Sequence, residues 1–201
     1  MKRFVLMFIG VLFFSLCYGQ KTIDTEEAKI KQTVLSFLNW YRLEQSADIS
    51  RKIDSTKVYK SIVVRKEVDT MIKVSIAMKE VERYLMYLKS SNGLSNTFLN
   101  DLRQYYQLIA NDVELWEPYP AKDGMFAIPG LNYDVIFGFE PEDILEHIKE
   151  GKFSRIHLLN DKAMVKFDIT NINQYIFTLT KVDDKWLIDY FGPDSSNVDK
   201  M

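Results

Sequence analysis

Residues 153–191 read FSRIHLLNDKAMVKFDITNINQYIFTLTKVDDKWLIDYF. Within them Val165, Phe167 and Ile169 alternate with Lys166, Asp168 and Thr170. A period of two with one apolar side is the pattern of a half-buried strand. The same reading predicts four strands, over Phe153–Leu159, Ala163–Ile169, Tyr175–Lys181 and Trp186–Phe191. Asn160-Asp161 and Asp183-Asp184 supply the turn chemistry of tight connections between them. The tail is therefore expected to be an antiparallel meander.

Upstream, the apolar period changes to that of a helix. Ile30, Val34, Phe37, Leu38 and Tyr41 recur on one helical face, and the helix is expected from Asp24 to about Gln45. Asp24 with Glu27 three residues later forms a capping box, and the acidic first turn suits the helix dipole. Met78–Ser90 reads as a second helix, with Val81, Tyr84, Leu85 and Leu88 on one face and Asn92-Gly93 as its stop. Ser95 caps a third, through about Ala110. Helices first and a meander last indicate an α+β fold, the helices packing on a curved antiparallel sheet.

Three segments are less regular. Val58–Val64 and Ile72–Ile76 are β-branched, and each reads as a short strand or an extended linker. Residues 111–134 carry Pro118, Pro120, Gly124, Pro129 and Gly130 among Trp116, Tyr119, Phe126 and Tyr133. An irregular segment of that length inside a domain is often functional. Tyr133–Phe139 is a strand candidate, and Pro141 opens a short helix through Ile148.

The first 19 residues differ from the rest. Lys2 and Arg3 precede an apolar run over Phe4–Leu16, and Cys17-Tyr18-Gly19 follows. This is the layout of a secretory signal peptide, with cleavage expected before Gln20. Two rivals are a membrane anchor, for which the run is short, and lipidation at Cys17, where Leu16 replaces the small residue such a signal wants. Residues 20–201 are expected to form one domain, exported to the periplasm or beyond the cell.

Composition narrows the chemistry. The chain has 201 residues, 26 Lys+Arg against 28 Asp+Glu, two His and one Cys. No basic excess favours a nucleic-acid partner. Loss of residues 1–19 would leave 24 basic against 28 acidic residues and no thiol. There is no G-x-S-x-G elbow and no phosphate-cradling glycine loop. His147 and His157 stand ten residues apart without neighbouring His or Cys, so no metal site and no cofactor are expected.

The order of these elements resembles the NTF2-like (cystatin-like) superfamily. Phe37-Leu38-Asn39-Trp40-Tyr41 resembles the aromatic segment of its first helix, and Lys181-Val182-Asp183-Asp184-Lys185-Trp186-Leu187-Ile188-Asp189 resembles its closing hairpin. A narrower likeness is to a family of small exported bacterial proteins classed as a domain of unknown function. It is carried by Tyr84-Leu85 through Leu88-Lys89-Ser90-Ser91, Phe98–Tyr106, Asn132-Tyr133-Asp134 and Trp186-Leu187-Ile188-Asp189. The resemblance implies a helix laid across a curved sheet to form a cone. It implies no activity, and it implies pairing of two copies through the open sheet face.

Enzymes of the superfamily place carboxylates, Tyr or His inside the cone, so Asp134 and Asp189 are the catalytic candidates here. An apolar surrounding would raise such a carboxylate for acid or base work. Among the aromatics, Tyr41, Tyr105, Trp116, Tyr119 and Tyr133 are the candidate ligand-binding residues. Core packing is the plainer reading of the helical ones. The function expected is a non-catalytic accessory protein that binds a small molecule or a protein partner. The alternative is an isomerase, dehydratase or hydrolase using a buried carboxylate.

Overall fold

The computed structural model describes residues 24–43, 61–124, 126–138, 141–169 and 174–194. The expectations for the leader, for Cys17, for the helix end at Gln45 and for Val58–Lys60 lie outside those residues. Helix α1 occupies 24–43. Its stripe of Ile30, Val34, Phe37, Leu38 and Tyr41 is buried throughout. The architecture is α+β: helices come first, and a four-stranded antiparallel sheet closes the chain.

That sheet runs β4 (Lys152–Leu159), β5 (Lys162–Asp168), β6 (Gln174–Val182) and β7 (Lys185–Pro193), each strand paired with the next. Ala163, Val165 and Phe167 of β5 and Tyr175, Phe177 and Leu179 of β6 form its buried face. Asp183 and Asp184 both take positive φ (47° and 62°) in the β6–β7 turn, the backbone of a primed hairpin turn that Asp tolerates. A bulge between Thr178 and Leu179 in the β6–β7 register leaves Asp189 as the extra residue.

A second sheet is made by β1 (Val63–Val68), β2 (Met71–Ile76) and the two-residue β3 (Tyr119–Pro120). The first of these lies further along than the expected Val58–Val64. Its Arg65-Lys66-Glu67 run disguises a strand that is exposed over most of its length. Asp69 and Thr70, at φ 51° and 69°, turn β1 back onto β2.

Helices α2 (Met78–Lys89) and α3 (Asn96–Glu114) stand side by side. Ser95 Oγ accepts the Phe98 amide at 3.1 Å, as its capping role requires. Helix α3 runs one turn beyond the expected Ala110, because Val113 continues the buried stripe of Leu102, Tyr106 and Ile109. Between the two helices, Ser95 N donates to Ile188 O, and Ile188 N donates to Gly93 O, so this linker occupies the free edge of β7.

Two apolar clusters result. The larger joins α1, α2, α3 and the four-stranded sheet. Within it Phe191 lies 5.8 Å from Phe37, 6.0 Å from Phe98, 4.9 Å from Phe137 and 5.2 Å from Phe177. Ring contacts therefore run from helix to sheet. The smaller cluster is Val74, Ile109, Val113 and Ile128, with Trp116, Tyr119 and Leu131 packed against it. It fixes the long irregular segment to β2 and α3.

Gly151 shows how tightly the larger cluster is filled. A Cβ built there would overlap the Phe167 ring. Gly151→Ala is therefore expected to cost about 1–3 kcal/mol by overpacking, read by urea unfolding. Unchanged stability would mean that the Phe167 ring has room to move.

Candidate functional site

The best-placed catalytic candidate is Asp134. The residues expected to form a strand around it, Tyr133–Phe139, instead form a turn where they are described. The cause is the side chain itself. Asp134 Oδ1 accepts the amides of Ile136 at 2.9 Å and Phe137 at 3.0 Å, and Gly138 N donates to Asp134 O at 2.7 Å. An Asp that captures its own downstream amides competes with a sheet ladder. Gly138, at φ 74°, completes the reversal.

Tyr41, in the last described turn of α1, donates its hydroxyl to Asp134 Oδ2 at 2.5 Å. Two of the sequence-selected residues, 93 positions apart, thus meet. Burial raises the Asp134 carboxyl above its ordinary 3.8, and the bonds from Tyr41, Phe137 and Ile136 pull the other way. With both oxygens engaged, the group is first a clasp between α1 and the turn.

Asp134→Asn keeps an acceptor for the amides, so it is expected to stay within about 1 kcal/mol of the parent, whereas Asp134→Ala should lose about 2–3 kcal/mol. Because the folded state holds this proton more tightly than the unfolded chain, the contribution is fully present below pH 3.8. It is lost as pH rises through the raised value. The Asn variant should lack that slope in a pH series of thermal unfolding. An unchanged slope would assign it to another group.

Asp189, the other candidate, lies apart from Asp134. It is on the outer face of the four-stranded sheet, where it accepts from Thr180 Oγ1 and stands 3.8 Å from Lys162 Nζ. Lys162 Nζ also donates to Thr180 Oγ1 at 2.5 Å. The three groups link β5, β6 and β7.

The remaining aromatics gather on the irregular segment. Tyr105 donates its hydroxyl to Gly130 O at 2.9 Å. Gly130 is at φ 84°, and a Cβ there would meet that hydroxyl at 2.5 Å. Trp116 and Tyr119 are half-buried against the smaller cluster. Lys73 Nζ donates to Trp116 O at 2.5 Å and Glu114 O at 3.0 Å, neutralising the end of α3. Tyr119 meets Phe126 edge-on at 4.6 Å. Tyr133 and Phe126 are exposed.

Beside these residues lies an open cleft of about 310 Å³, lined by Val63, Arg65, Ala127, Ile128, Leu131 and Asn132. Arg65 Nη2 donates to Phe126 O at 3.4 Å. Arg65 and Asn132 were not among the residues selected from sequence. They are 67 positions apart, and the packing of Ile128 against β2 and α3 helps bring the loop to β1. Local spacing carries no signal for such a pair.

Among the described residues no group of three His, Cys, Asp or Glu could hold a metal ion. None of their helices is long and apolar enough to cross a membrane. No protein-family model matches the chain, and the comparisons with curated proteins and with solved structures likewise return no match.

Proposed function

We propose that this chain is a non-catalytic binding protein whose recognition surface is the face built by β1 and the 126–133 loop. The observation that carries this reading is a contrast between inside and outside. Between α1 and the sheet, Phe37, Phe167 and Phe177 are fully buried and ring meets ring. On the loop face, apolar residues border an open cleft with one cation beside it. A concave site that sets apolar side chains beside polar groups is the usual form of a small-molecule site.

Membership of the NTF2-like superfamily is part of the proposal. Its support is α1, which reaches the closing hairpin through Glu26 and Trp186 and the sheet interior through Phe37 and Phe191. Export is the companion proposal, supported by the basic start, apolar run and small residues of 1–19. Mass spectrometry of the secreted protein would give an N-terminus at Gln20. Full-length protein held in the cell would contradict it.

A fragment screen of the full chain, read by amide NMR, tests the binding face. Hits are expected to move Arg65, Ala127, Ile128 and Leu131. Hits confined to Phe37, Phe177 and Phe191, or to the outer sheet face at His157, Met164 and Tyr190, would overturn the assignment.

The catalytic alternative rests on the raised carboxyl of Asp134 beside Tyr41. It ranks second because the oxygens that would take or give a proton already hold Tyr41 and two amides.

A further inference from the structure

We propose that the cleft between β1 and the 127–132 loop binds a small organic carboxylate, with Arg65 holding the acid and Val63, Ile128 and Leu131 receiving an apolar body. The proposal rests on the reading that recognition occurs on this face, and it adds the class of ligand.

The sign of the ligand follows from the lining. Of the six residues around the cleft, Arg65 alone carries a formal charge. Among the described residues, Arg65 has no carboxylate partner. Its one hydrogen bond there is the long contact of Nη2 with Phe126 O. Glu67, two residues along β1, is exposed and makes no ion pair with it. Most of the five guanidinium donors are therefore uncommitted. Their planar fork matches the two oxygens of a carboxylate. The Asn132 amide adds a neutral polar group on the same rim.

The body of the ligand follows from the rest of the lining. Val63, Ala127, Ile128 and Leu131 are the aliphatic residues of a lining that is about as polar as it is apolar. The cleft is open and of about 310 Å³, and phenylacetate, a carboxylate with an apolar ring, is the probe chosen for it. Phe126, edge-on against Tyr119 at 4.6 Å, sets its carbonyl 3.4 Å from Arg65 Nη2.

The same fork would accept a phosphate monoester, but a dianion calls for more than one cation, and the cleft lining has one. A carboxylate is therefore the better match in charge.

The test titrates the full chain with phenylacetate, phenylacetamide and phenyl phosphate, by amide NMR and calorimetry. Phenylacetate is expected to move Arg65, Ala127, Leu131 and Asn132, and to bind at least tenfold more tightly than the amide. Arg65→Met keeps much of the aliphatic stem and removes the charge. It should lower phenylacetate affinity to that of the amide while leaving thermal unfolding unchanged. Equal binding of acid and amide at these residues, or an Arg65→Met variant that binds the acid normally, would overturn the carboxylate assignment and leave the binding face standing. Tighter binding of phenyl phosphate would replace the carboxylate with a phosphate monoester. If none of the three moves these residues, the carboxylate proposal fails. The binding face itself fails only if fragment hits also fall elsewhere.

Discussion

Phe191→Ala is expected to remove about 3–5 kcal/mol of folding stability, the range for a buried aromatic truncated in a packed core. The figure belongs at the upper end because of what this ring joins. Phe191 is 5% exposed. It contacts Phe37 of α1, Phe98 of α3, Phe137 of the Asp134 turn and Phe177 of β6. Its loss opens a cavity bordered by four separate parts of the chain, none of which can collapse into it without pulling on the others. For a protein of this size, 4 kcal/mol lowers the melting temperature by about 10 °C. Phe191→Leu should cost roughly 1–2 kcal/mol, because most of the volume is retained. Urea and thermal unfolding measure both. A loss below about 1 kcal/mol for Phe191→Ala would show that the rings are not closely packed.

Trp186→Ala should be as damaging, at about 3–5 kcal/mol, for a different mixture of reasons. The ring is buried in the larger cluster, and its Nε1–H donates to Glu26 Oε2 at 2.8 Å. Glu26 also receives Lys181 at 2.9 Å and Lys29 at 3.1 Å, and both lysines reach Asp184. This cluster clamps α1 to the β6–β7 hairpin. Trp186→Phe keeps a ring and removes only the donor, so it separates the two contributions. Its expected cost includes about 1.5–3 kcal/mol for the charge-assisted bond.

The clamp also sets a pH dependence. Lys181 first, then Trp186 and Lys29, hold the Glu26 carboxyl down at about 2, against burial. The folded-state value is depressed, so its stabilisation is fully present above pH 4.5. It is lost as pH falls through about 2. The stability difference between the parent and Glu26→Gln should therefore shrink steadily over that window. A difference that stays constant would place the acid sensitivity elsewhere.

The C-terminal sheet was legible because each of its strands has one wet side. Val165, Phe167 and Lys166 state the strand, its buried face and its register together, and Asp183-Asp184 states the turn. The strand expected at Tyr133–Phe139 had the right composition. Asp134 overrode it, because one carboxylate capturing two amides fixes a turn that propensity does not register. Strand β1 hid for the opposite reason: its exposed Arg65-Lys66-Glu67 run has no apolar side to read. The bidentate contact of Arg103 with Glu82, at 2.6 and 3.0 Å, joins α2 to α3 across 21 residues. Helical i, i+4 spacing gives no hint of it.

The candidate site was legible by segment and not by residue. An irregular run rich in proline, glycine and aromatics marked 111–134. Yet Trp116 and Tyr119 mostly serve to seat that segment on β2 and α3, and Tyr105 clamps it at Gly130. The polar side chains that border the cleft are Arg65 and Asn132; no local pattern distinguishes Arg65 from an ordinary surface residue, and Asn132 stands out only within Asn132-Tyr133-Asp134.

The proposed binding face requires that the described rings fill the space between α1 and the sheet, so that recognition takes place outside it. Xenon is the most direct probe, since it enters dry apolar cavities that a side chain leaves unfilled. Crystals of residues 20–201 under xenon pressure should show no xenon among Phe37, Phe167, Phe177 and Phe191. Xenon bound there would contradict the claim. The interior beside Tyr41 and Asp134 would then have room for a ligand.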